Sequence, residues 1–287
     1  MFNSLKYNRL RLRTAQGRTT PVGPSFNINK ELEINLADNI LSLAMPRHAP
    51  YNRNREQARI LSKRYELRGV GYNDGVLPSN TWKAETIAFR SWGYYGPWFT
   101  GYMADLSIYI GAIHLSEPQD NISFFHPKAF ELATLSYLTA LHGHDEYSPN
   151  TPRWQGPLNW QPILCLPVPA IRLDIHPINV PSRRYHNVFF PVSKDKIIKI
   201  TFTYSHACAG SMEQRDERIN LQPLRQMIDD IVGSLALTLS PESELQMASI
   251  DAAGAAISNS MPPLNWPADV DPSGIGIIQE KNAVLPN

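Results

Sequence analysis

The clearest hydrophobic pattern in the chain runs from Val188 to Leu239. Val188-Phe-Phe-Pro-Val192 leads through the polar turn Ser193-Lys-Asp-Lys196 into Ile197-Ile-Lys-Ile-Thr-Phe-Thr-Tyr-Ser205. Side chains alternate along a strand, so Ile198, Ile200, Phe202 and Tyr204 share one face, while Lys199, Thr201 and Thr203 share the other. This predicts a half-buried strand in a hairpin. After a charged stretch, Leu221, Leu224, Ile228, Ile231 and Leu235 recur at the three-and-four spacing of an amphipathic helix, which should lie across the sheet.

The same two periods organise the rest. Leu32, Ile34 and Leu36 alternate with Glu31, Glu33 and Asn35; Asp38-Asn39 supplies a turn, and Ile40 to Leu43 resumes an extended run that Pro46 ends, which predicts a hairpin. Residues 53–68 carry a mixed-charge, helix-compatible sequence, and Gly69, Gly71 and Gly75 around Asn73-Asp74 read as a turn. Gly101 to Leu115 reads as a long strand, whereas Ser91-Trp-Gly-Tyr-Tyr-Gly-Pro-Trp98 should turn because it holds Gly93, Gly96 and Pro97. A second helix is expected from Pro127 to His144, with Phe130, Leu132, Ala133, Leu135, Leu138 and Leu141 on its apolar side and Gly143 at its stop.

Strands followed by a helix, then strands followed by another helix, argue for an α+β fold: antiparallel sheet packed by two amphipathic helices, in two similar half-domains with an extended C-terminal tail. The divisions fall at residues 1–30 for an N-terminal arm, 31–146 for the first half, 147–162 for a Pro-rich connector, 163–240 for the second half and 241–287 for the tail. In the tail a short helix is expected near Glu242 to Ala256.

Composition narrows the class of partner. The 287 residues include 24 prolines, which implies many loops and strand ends. A formal charge of +1 gives no global field to attract nucleic acid or anionic lipid, and no apolar run approaches the ~20 residues that cross a bilayer. Neither partner is expected. The basic N-terminus lacks a following apolar region, and Cys165 and Cys208 are far apart, so the expected location is the reducing cytoplasm.

Catalytic signatures are sparse. His142, His144, Asp145 and Glu146 form the best metal-like cluster, but the Asp-His that continues a metallo-hydrolase ligand run is replaced by Glu146-Tyr147. His114, His126, His176, His186 and His206 are scattered along the chain. Cys208 near His206 lacks an orienting third group, and Ser234 follows Gly233 inside the amphipathic helix, away from any nucleophile elbow. No cofactor is expected. Residues 82–114 are the most aromatic part, and Tyr94, Tyr95 and Trp98 at a loop tip would suit recognition of a sugar or peptide, because flat rings give large contact area at low entropic cost.

The run Asp38 to Pro50, the aromatic strands, Val188 to Ser205 and the helix Leu224 to Leu239 together resemble accessory or immunity proteins found beside bacterial type VI secretion effectors. The sheet-then-helix ending also resembles PsbP-type α/β modules of some effector chaperones and immunity proteins. The resemblance covers Leu36 to Leu239 and rests on pattern rather than on an invariant motif. It implies a non-enzymatic protein that binds a cognate toxin. Contact rather than chemistry is then the task, and the expected interface is Tyr94, Tyr95 and Trp98 with the charged loop Glu213, Arg215, Asp216, Glu217 and Arg218. The alternatives are a metal-dependent hydrolase using His142, His144 and Asp145, or a carbohydrate-binding or structural component of a larger assembly.

Overall fold

The computed structural model describes residues 17–51, 64–65, 81–96, 101–117, 119, 122–178, 183–252 and 254–266. Its architecture is α+β, built on antiparallel sheets. Among the described residues the strands are β1 (Asn29–Leu36), β2 (Asn39–Pro46), β3 (Arg64–Tyr65), β4 (Trp82–Tyr95), β5 (Tyr102–Leu115), β6 (Glu146–Ser148), β7 (Thr151–Pro152), β8 (Trp154–Pro162), β9 (Ile171–Pro177), β10 (Arg184–Ser193), β11 (Lys196–His206) and β12 (Ala236–Thr238). The helices are α1 (Pro127–His142), α2 (Met212–Arg218), α3 (Gln222–Gly233) and α4 (Pro241–Ala248). No helix among the described residues is long and apolar enough to cross a membrane.

A six-stranded sheet, ordered β4-β5-β11-β10-β9-β8, forms the middle layer. On one face lie the four-stranded sheet β12-β2-β1-β3 and α3; on the other lies α1. The first core joins Leu32, Ile34 and Leu36 of β1, Leu41, Leu43 and Met45 of β2 and the α3 stripe Leu224, Met227, Ile228 and Ile231 to Val188, Phe190, Ile198, Ile200 and Phe202 of the large sheet. The second joins Phe130, Ala133, Tyr137 and Leu138 of α1 to Ile171, Leu173, Ile175, Phe189 and Ile197. Each Val, Leu, Ile, Met or Phe among them contributes roughly 1.5–3 kcal/mol by leaving water.

The hairpins at both expected places form. β10 and β11 pair antiparallel through a turn at Lys194 and Asp195. β1 and β2 pair with Leu36 opposite Asn39, which moves the turn one residue back from the expected Asp38-Asn39. Ala37 and Asp38 both take positive φ, the primed-turn geometry that follows the twist of a hairpin, and Asn35 Oδ1 accepts the Asp38 N–H at 2.9 Å.

Three expectations are corrected. β11 is covered on both faces: Thr201 and Thr203 are buried, Thr201 donates to Asn187 at 2.8 Å, and Lys199 donates to the Tyr137 hydroxyl of α1 at 2.6 Å. Its polar face is therefore an interior surface with its own partners. Ser91 to Tyr95 continues β4, because bridges from Val22 and Ala49 pair its outer edge and allow the strand to extend past Gly93. Much of the expected connector is strand β8, whose prolines are tolerated because it is the last strand of the sheet and its pairing with β9 is broken by register shifts. The strands before and after the connector meet in one sheet, β5 pairing with β11 from His114–Lys196 to Ala104–His206. Of the helix-compatible stretch 53–68, only Arg64–Tyr65 is described, and it forms β3, parallel to β1.

The C-terminal segment drapes over the α1 face as far as Trp266. Trp160 Nε1 donates to Ser258 O at 2.8 Å, Leu264 N to Gly156 O at 2.8 Å, and Trp266 Nε1 to Thr139 of α1 at 3.1 Å.

Candidate functional site

Alternation along β9, β10 and β11 places a second kind of surface on the face shared with α3. Toward the middle of the sheet this face is apolar, through Val188, Phe190, Ile200 and Phe202. Toward one end, it becomes polar: Arg172, Asp174 and His176 on β9, Arg184 and His186 on β10, Tyr204 and His206 on β11. Register brings His186 opposite Asp174 and Arg184 opposite Tyr204. α3 passes above with Arg225, Ile228 and Asp229, enclosing with Asn159 and Gln161 of β8 a cavity of about 260 Å³.

The groups lining it are held in place by one another. His186 Nδ1 lies 2.6 Å from Asp174 Oδ1, and Asn159 Nδ2 donates to Asp174 Oδ2 at 2.7 Å. Burial alone would raise the Asp174 carboxyl, but these hydrogen bonds and the neighbouring imidazoles outweigh it and hold the group below the usual carboxylate range. His176 Nε2 is 4.0 Å from the same carboxylate, and burial pushes its imidazole down toward the neutral form. Arg172 bridges Gln161 and Asp229, each at 2.9 Å, across the rim. Burial raises the Tyr204 phenol above its ordinary range, and the nearby charge of Arg225 opposes that rise. The Nε2 atoms of His176 and His186 are shielded from solvent without a hydrogen-bond partner.

Beside the cavity stands α2. Ser211 caps it in a reciprocal box with Gln214, satisfying backbone N–H groups that the first turn leaves open. Asp216 forms a two-point bond to the Arg184 guanidinium, at 3.0 and 2.6 Å, and its Oδ1 is 3.1 Å from His206 Nε2. Arg184 is almost fully buried, so this pair fastens the helix to β10. Burial lowers the His206 pKa to about 4, which keeps its ring neutral. Arg215 and Arg218 donate to Gly210 O and Ala209 O at 2.9 and 3.1 Å, while Glu213, Glu217 and Arg218 remain exposed.

The expected interface is therefore split. The charged loop is a capped helix in which Asp216 faces inward and the other four residues remain near the surface. Tyr94 and Tyr95 are not at a loop tip: they end β4 and are 1% and 4% exposed, Tyr95 exchanging backbone hydrogen bonds with Val22 at 2.7 and 2.9 Å. Gly23 lies against the Tyr94 ring, where a Cβ would collide with it. Trp98 lies outside the described residues.

His142, His144 and Asp145 have separate surroundings. His142 is buried beside Trp154, Tyr185 and Trp266, with ring centroids 5.2, 6.0 and 6.0 Å away, and burial lowers its pKa to about 3. Asp145 accepts from Trp154 Nε1 at 2.7 Å and from Arg153 at 3.4 Å, and His144 is exposed. Among the described residues no three His, Cys, Asp or Glu side chains gather as a metal site requires.

The Asp174–His186 cluster was not singled out by sequence. Its available signal is Arg172-Leu-Asp-Ile-His176, in which every second residue is polar or titratable. A solvated strand face is the default reading of that pattern, and only α3 turns it into a cavity wall. Comparison of the chain with protein-family models, with curated proteins and with solved structures gives no match.

Proposed function

We propose that this chain is a non-enzymatic binding protein of the immunity or adaptor kind, which recognises a protein partner through the outer face of α2. The partner class implied by the resemblance is a bacterial effector toxin, and the setting is the cytoplasm. The observation that carries this reading is the fastening of α2 by Asp216 to the buried Arg184. A seven-residue helix is too short to be stable in isolation, and α2 buries no side chain of its own. Its order serves display: Glu213, Glu217 and Arg218 are presented on a fixed frame, so less side-chain and backbone freedom is lost on association. Fixed charges of both signs favour one partner and one register over others.

The experiment compares wild type with the double variant Glu213→Lys/Glu217→Lys. A protein captured from a lysate of the source organism is purified and titrated calorimetrically against both. Reversal of the two exposed charges is expected to weaken binding by about tenfold or more, with an unchanged far-ultraviolet circular dichroism spectrum. Equal affinity of the two forms would remove α2 as the recognition surface.

A further inference from the structure

The C-terminal segment is fixed to the body at two places that belong to different layers. α4 and the residues just after it sit with the first core: Met247 and Ile250 pack against it, and Ser243 Oγ donates to Val192 O at 2.9 Å. Ile257, Met261, Leu264 and Trp266 sit with the second core, on the α1 face. Between the two the chain crosses from one face of the large sheet to the other through a short turn, in which Ala255 N donates to Ala252 O at 2.8 Å. Gly254 in this turn is exposed and takes a φ of +75°, and a Cβ there would meet no atom within 4 Å. Backbone geometry alone therefore favours glycine at this position.

The surface beyond the turn is built to hold an extended segment. Residues 256–266 contain neither helix nor strand, and much of the grip on them is through their main chain. Glu131 of α1, itself 5% exposed, accepts the Ser258 N–H, and Lys128 ties the two together through bonds of 3.0 Å to Glu131 and to Ser258 Oγ. Trp160 Nε1 of β8 donates to the Ser258 carbonyl at 2.8 Å, and Gly156 O accepts the Leu264 N–H at 2.8 Å. The three side-chain partners of Ser258 lie 98 to 130 residues from it, so nothing in the local sequence requires seat and segment to belong to one molecule. Without the segment, Glu131 and the Trp160 indole lose partners and the apolar seat meets water, so a stable state keeps it filled. The occupant whose fit is on view is this segment, and a second copy carries an identical one.

We propose that residues 256–266 exchange between two copies of this chain, each segment seated on the α1–β8 surface of the other. The exchange keeps every bond within the seats and changes only the turn around Gly254, which opens into a link between the copies. Closed and exchanged forms then differ by the strain of the turn and by the freedom lost on association, and concentration sets the balance between them. The outer face of α2 takes no part, so this inference and the recognition reading stand or fall separately.

The full chain is brought to equilibrium over a wide range of concentrations, and its mass is read by light scattering after size-exclusion chromatography. A dimer that grows with concentration is expected. Gly254→Val puts a β-branched residue at positive φ, which strains the closed turn and is relieved in both links of the dimer, so the dimer dissociation constant should fall about tenfold or more. Gly254→Ala, with a smaller shift of the same sign, is used if the valine variant does not fold. A synthetic peptide of residues 256–266, added in excess, should return the dimer to monomers by filling the seats, whereas a dimer formed through any other surface would resist it. A monomer at every concentration in all forms, a dissociation constant unmoved by substitution at Gly254, or a dimer that the peptide leaves intact overturns the exchange.

Discussion

At the scale of single residues, burial decides what a histidine does. His142 is enclosed by Trp154, Tyr185 and Trp266, and desolvation lowers its pKa from the ordinary 6.5 to about 3. The unfolded chain takes up this proton below pH 6.5, while the folded chain refuses it until about pH 3. Stability is consequently lost as pH falls through that window, by up to about 1.4 kcal/mol per pH unit for this residue. His142→Phe keeps an aromatic ring in the box and removes the titration. Chemical denaturation between pH 7 and 5 should show the variant gaining on wild type as acid is added; parallel curves would place the acid sensitivity elsewhere. His206, lowered to about 4, contributes to the same window with the same sign. Asp174 has the same sign in a lower window: its carboxyl is depressed, so its contribution is present above the unfolded carboxylate range and is lost as pH falls through the folded value.

At the scale of an element, α2 and α3 differ in how they are held. α3 owes its place to Leu224, Met227, Ile228, Ile231 and Val232, all buried against both sheets. α2 owes its place to a capping box, the Asp216–Arg184 ion pair and a backbone bond from Thr19 N to Arg218 O at 2.8 Å. Asp216→Ala leaves the Arg184 guanidinium buried with its main partner gone. The expected cost is about 1–3 kcal/mol, below that of a wholly buried pair because Asp216 itself is 41% exposed. Amide exchange of residues 212–218 should accelerate well beyond that of α3. Equal protection of both helices in the variant would mean that α2 is secured by something other than this bond.

At the scale of the whole molecule, the large sheet is covered on both faces, and the C-terminal segment completes the covering on the α1 side. Ile257, Met261 and Leu264 pack on that core, and Trp266 is 5% exposed within it. Trp266→Ala removes that ring and the bond to Thr139, and the loss is expected to be about 3 kcal/mol, read from the shift in denaturant midpoint. A change below about 0.5 kcal/mol would show the segment to be an ornament of the fold rather than part of its core.

The sequence by itself determined where period two and period 3.6 occur, hence the hairpins β1–β2 and β10–β11, the helices α1 and α3 and the α+β class, because alternation and apolar stripes are local properties of the chain. It left Lys199, Thr201 and Thr203 as an outward face and His176, His186 and His206 as scattered residues. The tertiary structure decided those points. Which face of a strand meets water depends on what packs above it, so the arrival of α1 made one polar face interior. The passage of α3 made another into the wall of a cavity, and a strand register spanning residues far apart in the chain set His186 against Asp174.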